Sequence, residues 1–120
     1  MSSILVVDDD VMNTKMTEFV LKTKYEDVFC VNNGYDCIQA LNDCIYDLIL
    51  LDIEMPDMSG HDVLKQIRTM ERYKNLPVIF LTASADVRDV IAAKSLNASN
   101  YIVKPYLPEV LLEKVEAVLG

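Results

Sequence analysis

The chain has 120 residues, of which 52% are hydrophobic and 25% are charged, with a formal net charge of -8. Such a chain fits one compact domain with a sizeable core, which excludes disordered and fibrous proteins, and its negative charge argues against direct binding to nucleic acid or anionic membranes. No apolar run approaches the ~20 residues of a membrane span and no signal peptide is recognisable, so a cytoplasmic protein with protein partners is expected.

Five short apolar or β-branched runs have the length of strands, and they are residues 4–8, 28–32, 47–52, 77–81 and 100–103. The segment after the first run has apolar residues at i, i+4, i+7 and i+8, which predicts a helix that buries Met12, Met16, Phe19 and Val20. Asp10 is the predicted cap of this helix. The last segment repeats the spacing and predicts a buried face formed by Leu111, Val115, Val118 and Leu119.

The five strands alternate with five helical segments, and this alternation predicts a parallel sheet because parallel neighbours need a crossover connection. We therefore expect residues 1–120 to form one doubly wound α/β domain, with helices on both faces of the sheet. In this architecture ligands bind beyond the carboxyl ends of the strands. The residues at those ends are the candidate site: Asp8, Asp9, Asp52, Thr82 and Lys104.

These residue types have a joint use in phosphoryl transfer through magnesium. The three carboxylates could form an open Mg²⁺ site, and the ion would offset their mutual repulsion. A carboxylate can also act as a nucleophile and form an aspartyl phosphate. Lys104 would then bind a phosphate oxygen as a point charge, while Thr82 would donate a hydrogen bond to another oxygen and move its loop inward.

The chain resembles the receiver domain of two-component response regulators over essentially its whole length. The resemblance rests on four motifs in order, each of which closes a strand: residues 7–10 (VDDD), 52–60 (DIEMPDMSG), 81–83 (LTA) and 101–105 (YIVKP). It implies a flavodoxin-like strand order of 2-1-3-4-5 and a phosphorylation-dependent switch rather than an enzyme. Tyr106 departs from the family pattern, which frequently has phenylalanine at this position.

The resemblance implies a role for each site residue. Asp52 would accept phosphate from a histidine kinase or a phosphotransfer protein, with Mg²⁺ as the cofactor. The metal ligands would be Asp8, Asp9, Asp52 and the backbone carbonyl of Glu54. Thr82 and Tyr101 would form the switch, and Lys104–Pro105 would be a cis peptide. A downstream protein would contact the fourth helix, the fifth strand and the last helix.

Two alternatives stay open at this point. The chain could be the N-terminal receiver part of a larger regulator with a DNA-binding or enzymatic output domain. A carrier of flavin mononucleotide (FMN) shares the expected fold, but it needs a loop rich in glycine and hydroxyl groups after the first strand. Residues 8–10 are all aspartate and would repel the phosphate of that cofactor.

Overall fold

A five-stranded parallel sheet forms the centre of the computed structural model, which describes residues 2–83 and 100–120. The strands are β1 (Ser3–Val7), β2 (Asp27–Val31), β3 (Leu48–Asp52), β4 (Val78–Thr82) and β5 (Asn100–Val103). Their order is β2-β1-β3-β4-β5, and each neighbouring pair is parallel. The predicted fold and strand order are confirmed, and each strand boundary falls within one residue of its predicted position.

The described residues include four α-helices, which are α1 (Val11–Leu21), α2 (Gly34–Asp43), α3 (Gly60–Thr69) and α4 (Pro108–Leu119). A short 3-10 helix, Glu71–Tyr73, follows α3. The predicted helical segment between β4 and β5 lies outside the described residues. Within residues 2–83 and 100–120, no helix has the length and apolar character needed to cross a membrane.

Both faces of the sheet are covered by apolar side chains. All residues of β3 and β4 are buried, as are all residues of β1 except Ser3. Because successive strand residues point to opposite faces, Leu5 and Val7 pack in one core with side chains of α2 and α3, whereas Ile4 and Val6 pack in a second core with side chains of α1 and α4. This two-sided burial is the reason that the strands appear as continuous apolar runs in the sequence.

The predicted buried face of α4 is confirmed, because Leu111 and Val115 are fully buried and Val118 and Leu119 pack against the same core. The predicted cap of α1 is confirmed as well. The Asp10 side chain accepts hydrogen bonds from the backbone N–H groups of Met12 and Asn13 at 3.0 and 3.3 Å.

The predicted buried face of α1 is wrong for three of its four residues. Met12 is 77% exposed, Met16 50% and Phe19 76%, and only Val20 packs against the core. The helix instead buries Thr14, Thr17 and Leu21. Both threonine hydroxyls have hydrogen-bond partners, which makes their burial possible: Thr14 donates to the Val11 carbonyl at 2.8 Å, and the Thr17 hydroxyl bonds with the Tyr106 hydroxyl.

Candidate functional site

The carboxyl ends of four strands bring the predicted site residues to one edge of the sheet. Asp8 and Asp9 follow β1, Asp52 is the last residue of β3, and Lys104 follows β5. Thr82 is the last residue of β4, whereas the sequence placed it just after that strand. Its backbone carbonyl accepts a hydrogen bond from the Lys104 N–H at 2.7 Å, so the ends of β4 and β5 are joined at the site.

Asp8 is fully buried, and its carboxylate is held by three donors. They are the Lys104 ammonium at 2.8 Å, the backbone N–H of Asp10 at 3.0 Å and the side-chain amide of Asn13. Its main chain is fixed as well, because the Asp8 N–H donates to the Val31 carbonyl at 3.2 Å. A buried carboxylate needs this number of donors, since each unsatisfied oxygen would cost free energy of folding.

Lys104 lies between two carboxylates. Its ammonium nitrogen is 2.8 Å from Asp8 Oδ2 and 3.4 Å from Asp52 Oδ2. Burial lowers the pKa of Lys104, but its hydrogen bond to Asp8 and the charge of Asp52 outweigh that effect and leave its pKa raised. The lysine side chain is therefore a stable cation at this edge of the sheet.

Asp52 has a different electrostatic environment. Burial and the neighbouring charge of Asp8 raise its pKa to about 7, although the charge of Lys104 acts in the opposite direction. Its Oδ1 atom accepts a hydrogen bond from the Glu54 N–H at 3.3 Å. One lysine thus leaves the pair of carboxylates incompletely neutralised, and a further cation would stabilise the ionised form of Asp52.

The carboxylates of Asp8, Asp9 and Asp52 form a group that fits a hard divalent cation. One oxygen from each lies within 4.8 Å of the others, and Asp9 is exposed, so the cluster is open to solvent on that side. Mg²⁺ prefers oxygen ligands and retains several waters, for which an open cluster leaves space. The residues present therefore fit a magnesium ion.

The loop after β3 (residues 53–59, here called the β3–α3 loop) passes close to Asp52. The Gly60 N–H donates to the Ile53 carbonyl at 2.7 Å, which closes the loop. A Cβ atom on Gly60 would lie 2.4 Å from the carbonyl oxygen of Asp52 and 2.8 Å from the Ile53 Cα. Glycine is therefore required by a close approach of two backbone segments directly behind the site.

Tyr101 lies on β5 beside Phe80 of β4 and packs partly against the core between the sheet and α3. The Lys114 ammonium of α4 lies 5.6 Å from the centre of its ring and donates to the Asn100 side chain at 3.3 Å. The ring is therefore in contact with the C-terminal helix. The Lys104–Pro105 peptide is cis, which confirms the prediction made from the resemblance.

Three further residues support the site and were not predicted from the sequence in this role. Asn13 donates to Asp8, the Tyr106 hydroxyl bonds with Thr17 of α1, and the Asp57 carboxylate accepts hydrogen bonds at the start of α2. Asn13 was detectable in principle, because it lies in the first turn of a helix that begins beside Asp8. The other two contacts join segments 89 and 23 residues apart, respectively, and no local pattern indicates them.

Comparisons with known proteins agree on one family. The profile described as "Response regulator receiver domain" matches residues 4–116. The chemotaxis protein CheY1 of Helicobacter pylori is 36% identical over 98% of this chain and 96% of that protein. The transcriptional regulatory protein CpxR homolog of Haemophilus influenzae is also 36% identical, over 99% of this chain but 51% of that protein. The solved structure of Vibrio cholerae CheY4 superposes with a TM-score of 0.94 at 28% identity, over 98% of both chains.

Proposed function

The chain belongs to the response regulator receiver domain family, and from this premise we propose that Asp52 accepts a phosphoryl group from a histidine of a kinase or phosphotransfer protein. Receiver domains of this family are signalling switches that partner with histidine kinases and downstream effectors. The observation that carries the proposal is the Lys104 ammonium, which lies within 3.4 Å of the Asp8 and Asp52 carboxylates. A phosphoryl group on Asp52 would lie beside this cation.

Mg²⁺ is the proposed cofactor, as receiver domains of this family generally bind this ion at an acidic pocket. The proposed ligands are Asp8, Asp9, Asp52 and the backbone carbonyl of Glu54. The close approach of the three carboxylates supports the first three ligands. When bound, the ion would neutralise charge on the acids and on the phosphoryl group.

In the proposed reaction, a carboxylate oxygen of Asp52 attacks the phosphorus of the donor phosphohistidine. The bond between phosphorus and the imidazole nitrogen breaks, and its electron pair remains with the imidazole. Lys104 donates a hydrogen bond to one phosphoryl oxygen, and the Thr82 hydroxyl donates to another. This transfer and the later hydrolysis of the aspartyl phosphate are catalysed by the domain on itself, so the chain is a switch and does not turn over a separate substrate.

The response to phosphorylation is proposed to run through Thr82 and Tyr101. A phosphoryl group that binds the Thr82 hydroxyl favours one position of the β4 end, and Tyr101 on the neighbouring strand follows that change. An equilibrium between two states responds only if the phosphoryl group interacts differently with each of them. The proposed output surface comprises β5, the C-terminal helix α4 and the predicted helical segment between β4 and β5. That segment lies outside the described residues.

The exposed apolar residues of α1 are the proposed contact for the phosphodonor protein. Met12, Met16 and Phe19 (here called the α1 stripe) are at least half exposed and begin two residues after Asp10. A donor histidine has to come within bonding distance of Asp52, so the donor's surface must cover the adjacent rim of the site. Exposed apolar patches next to a site typically mark protein contacts.

The extent of the functional unit is also a proposal. We expect residues 1–120 to act as one receiver domain. The relatives include a protein of similar length and one of about twice the length, so the receiver of a larger regulator remains the second candidate. Family membership favours the phosphorylation switch over the FMN carrier.

Incubation with ³²P-labelled acetyl phosphate and Mg²⁺ tests the proposal. We expect an acid-stable, base-labile label that Asp52→Asn removes and that chelation of Mg²⁺ prevents. Asp43→Asn is the matched control, because Asp43 is exposed at the end of α2 and should leave labelling intact. A label that persists in Asp52→Asn, or no label on the wild-type chain at saturating Mg²⁺, would refute the proposal.

A second measurement tests the switch. Thr82→Ala should still be labelled, but the phosphorylation-induced changes in the backbone amide NMR shifts of Asn100–Val103 should decrease. Changes equal to those of the wild-type chain would argue against a coupling through Thr82.

A further inference from the structure

The Asp57 side chain connects the β3–α3 loop to the start of α2. Its Oδ2 atom accepts hydrogen bonds from the backbone N–H groups of Gly34 and Tyr35 at 3.0 and 3.2 Å, and its Oδ1 atom lies 3.2 Å from the Gly34 nitrogen. These N–H groups belong to the first turn of α2, where they have no partner within the helix. A carboxylate is favoured at this position because the amino end of a helix carries partial positive charge.

Backbone hydrogen bonds hold this loop at its two ends. Ile53 donates to the Leu81 carbonyl at 3.0 Å, and Gly60 donates to the Ile53 carbonyl. Between them, residues 55–58 make no backbone–backbone hydrogen bond to any other part of the chain that the structure describes. Asp57 therefore attaches the middle of the loop to α2, while the Met58 sulfur accepts a long hydrogen bond of 3.6 Å from the Gln66 amide of α3.

Packing places the loop and the helix in direct contact at the same point. A Cβ atom on Gly34 would lie 3.1 Å from the Cβ and 3.2 Å from the Sδ of Met58, the residue after Asp57. The start of α2 thus approaches the loop closely enough for the Asp57 hydrogen bonds to fix their separation. A change in that separation would move the middle of the loop relative to its ends, which backbone hydrogen bonds hold in place.

We infer that Asp57 is a positioning residue for the metal site, which acts by holding the β3–α3 loop so that the Glu54 carbonyl faces the carboxylates of Asp8, Asp9 and Asp52. Glu54 is three residues before Asp57 and is tied to Asp52 by its N–H. The inference rests on the proposed function, because it assumes that Mg²⁺ binds in this cluster. Groups that orient a metal ligand commonly change metal affinity about tenfold or more when they are removed.

Titration calorimetry of the full chain with MgCl₂ tests the inference. Asp57→Ala should raise the Mg²⁺ dissociation constant by about tenfold or more. Asp57→Asn should restore most of the affinity, because its amide oxygen can accept from the two N–H groups that Oδ2 contacts. If Asp57→Asn is as weak as Asp57→Ala, the effect comes from the lost charge and the positioning role is overturned.

Asn33→Ala is the matched structural control. It removes the side-chain cap of the same helix, in which Asn33 Oδ1 accepts from the Asp36 N–H at 2.8 Å, but it does not touch the loop. Its Mg²⁺ dissociation constant should stay within about twofold of the wild-type value, which separates loop position from helix stability. Equal losses of affinity in Asn33→Ala and Asp57→Ala would overturn the inference.

Labelling kinetics supply a second readout. With acetyl phosphate, Asp57→Ala should need more Mg²⁺ for half-maximal rate but should reach the wild-type rate at saturation. An unchanged Mg²⁺ requirement would overturn the inference alone. A wild-type chain that binds no Mg²⁺ or takes no label would overturn the proposed function together with it.

Discussion

The Lys104 ammonium donates to the fully buried carboxylate of Asp8 over a distance of 2.8 Å. The two residues are far apart in the sequence and meet because parallel strands deliver their carboxyl ends to one edge of the sheet. Asp8 is then neutralised locally, while Asp52 shares the same cation at 3.4 Å. Within residues 2–83 and 100–120, Lys104 is therefore the cation that partly balances the negative charge of this cluster.

Lys104→Met should destabilise the protein by about 2–4 kcal/mol in the absence of Mg²⁺, because a buried carboxylate loses its cationic partner. Added Mg²⁺ should recover part of the loss by binding the same acids. Urea unfolding with and without the ion measures both effects. Lys74→Met is the control, since Lys74 pairs with Glu71 on the exposed surface and should cost less than about 1 kcal/mol. Equal losses in the two variants would contradict this account.

The raised pKa of Asp52 predicts a pH-dependent effect of Asp52→Asn. The folded protein holds the Asp52 proton with a pKa of about 7, above the ordinary value of 3.8. The associated stability is present below the lower value and is lost as pH rises through the upper one. Without Mg²⁺, Asp52→Asn should therefore be more stable than wild type by about 1–3 kcal/mol at pH 8, and the difference should shrink at pH 5. If the difference in unfolding free energy between Asp52→Asn and wild type did not change with pH, the raised pKa of Asp52 would be contradicted.

Gly60→Ala should disturb the site without changing any charged residue. Its Cβ would lie 2.4 Å from the backbone oxygen of Asp52, so the backbone would have to move. We expect a loss of about 1–3 kcal/mol in unfolding free energy and slower labelling by acetyl phosphate. Gly34→Ala is the comparison for the unfolding free energy alone, because its Cβ would meet the side chains of Met58 and Val63 at 3.0–3.2 Å, and side chains adjust more readily than backbone. If Gly34→Ala lost more unfolding free energy than Gly60→Ala, the close backbone contact at Gly60 would not be the more restrictive of the two.

If the α1 stripe contacts the donor protein, substitutions in it should slow phosphoryl transfer from a kinase but not labelling by a small phosphodonor. The double variant Met12→Ser and Phe19→Ser should unfold within about 0.5 kcal/mol of wild type, because both side chains are exposed. Labelling by acetyl phosphate should be unchanged. Transfer from a histidine kinase that labels the wild-type chain should slow about tenfold or more, as expected when central apolar contacts are lost.

Ile45→Ser provides the control for the α1 stripe. Ile45 is 65% exposed and lies before β3, at the opposite end of that strand from Asp52. It removes a comparable apolar side chain without approaching the site, so transfer from the kinase should remain at the wild-type rate. Equal slowing by Ile45→Ser and the double variant would exclude a specific contact at α1.

The sequence was sufficient to predict the sheet and the residues at its edge. Strands that are buried on both faces leave continuous apolar runs, and β3 and β4 have every residue buried. Once such strands are parallel, the residues at their carboxyl ends must share an edge. Asp8, Asp52 and Lys104 could therefore be grouped without knowledge of any distance between them.

The orientation of α1 could not be predicted in this way. Its apolar residues have helical spacing, but Thr14, Thr17 and Leu21 have a compatible spacing on another side of the helix. The threonine side chains are buried because the hydroxyl of each finds an oxygen partner, in one case on a residue far along the chain. Apolar periodicity contains no information about that partner.

The placement of Asp52 at the end of β3 has a consequence for where motion can occur. β3 lies between β1 and β4 and is covered on both faces, so its amides should exchange with deuterium only when the whole domain unfolds. Under the proposed reaction, the Asp52 carboxylate would therefore have little freedom to move away from a phosphoryl group attached to it. In the proposed switch, the rearrangement would then be taken up by the β4 end, by the surrounding loops and by β5, which is one of the two edge strands of the sheet.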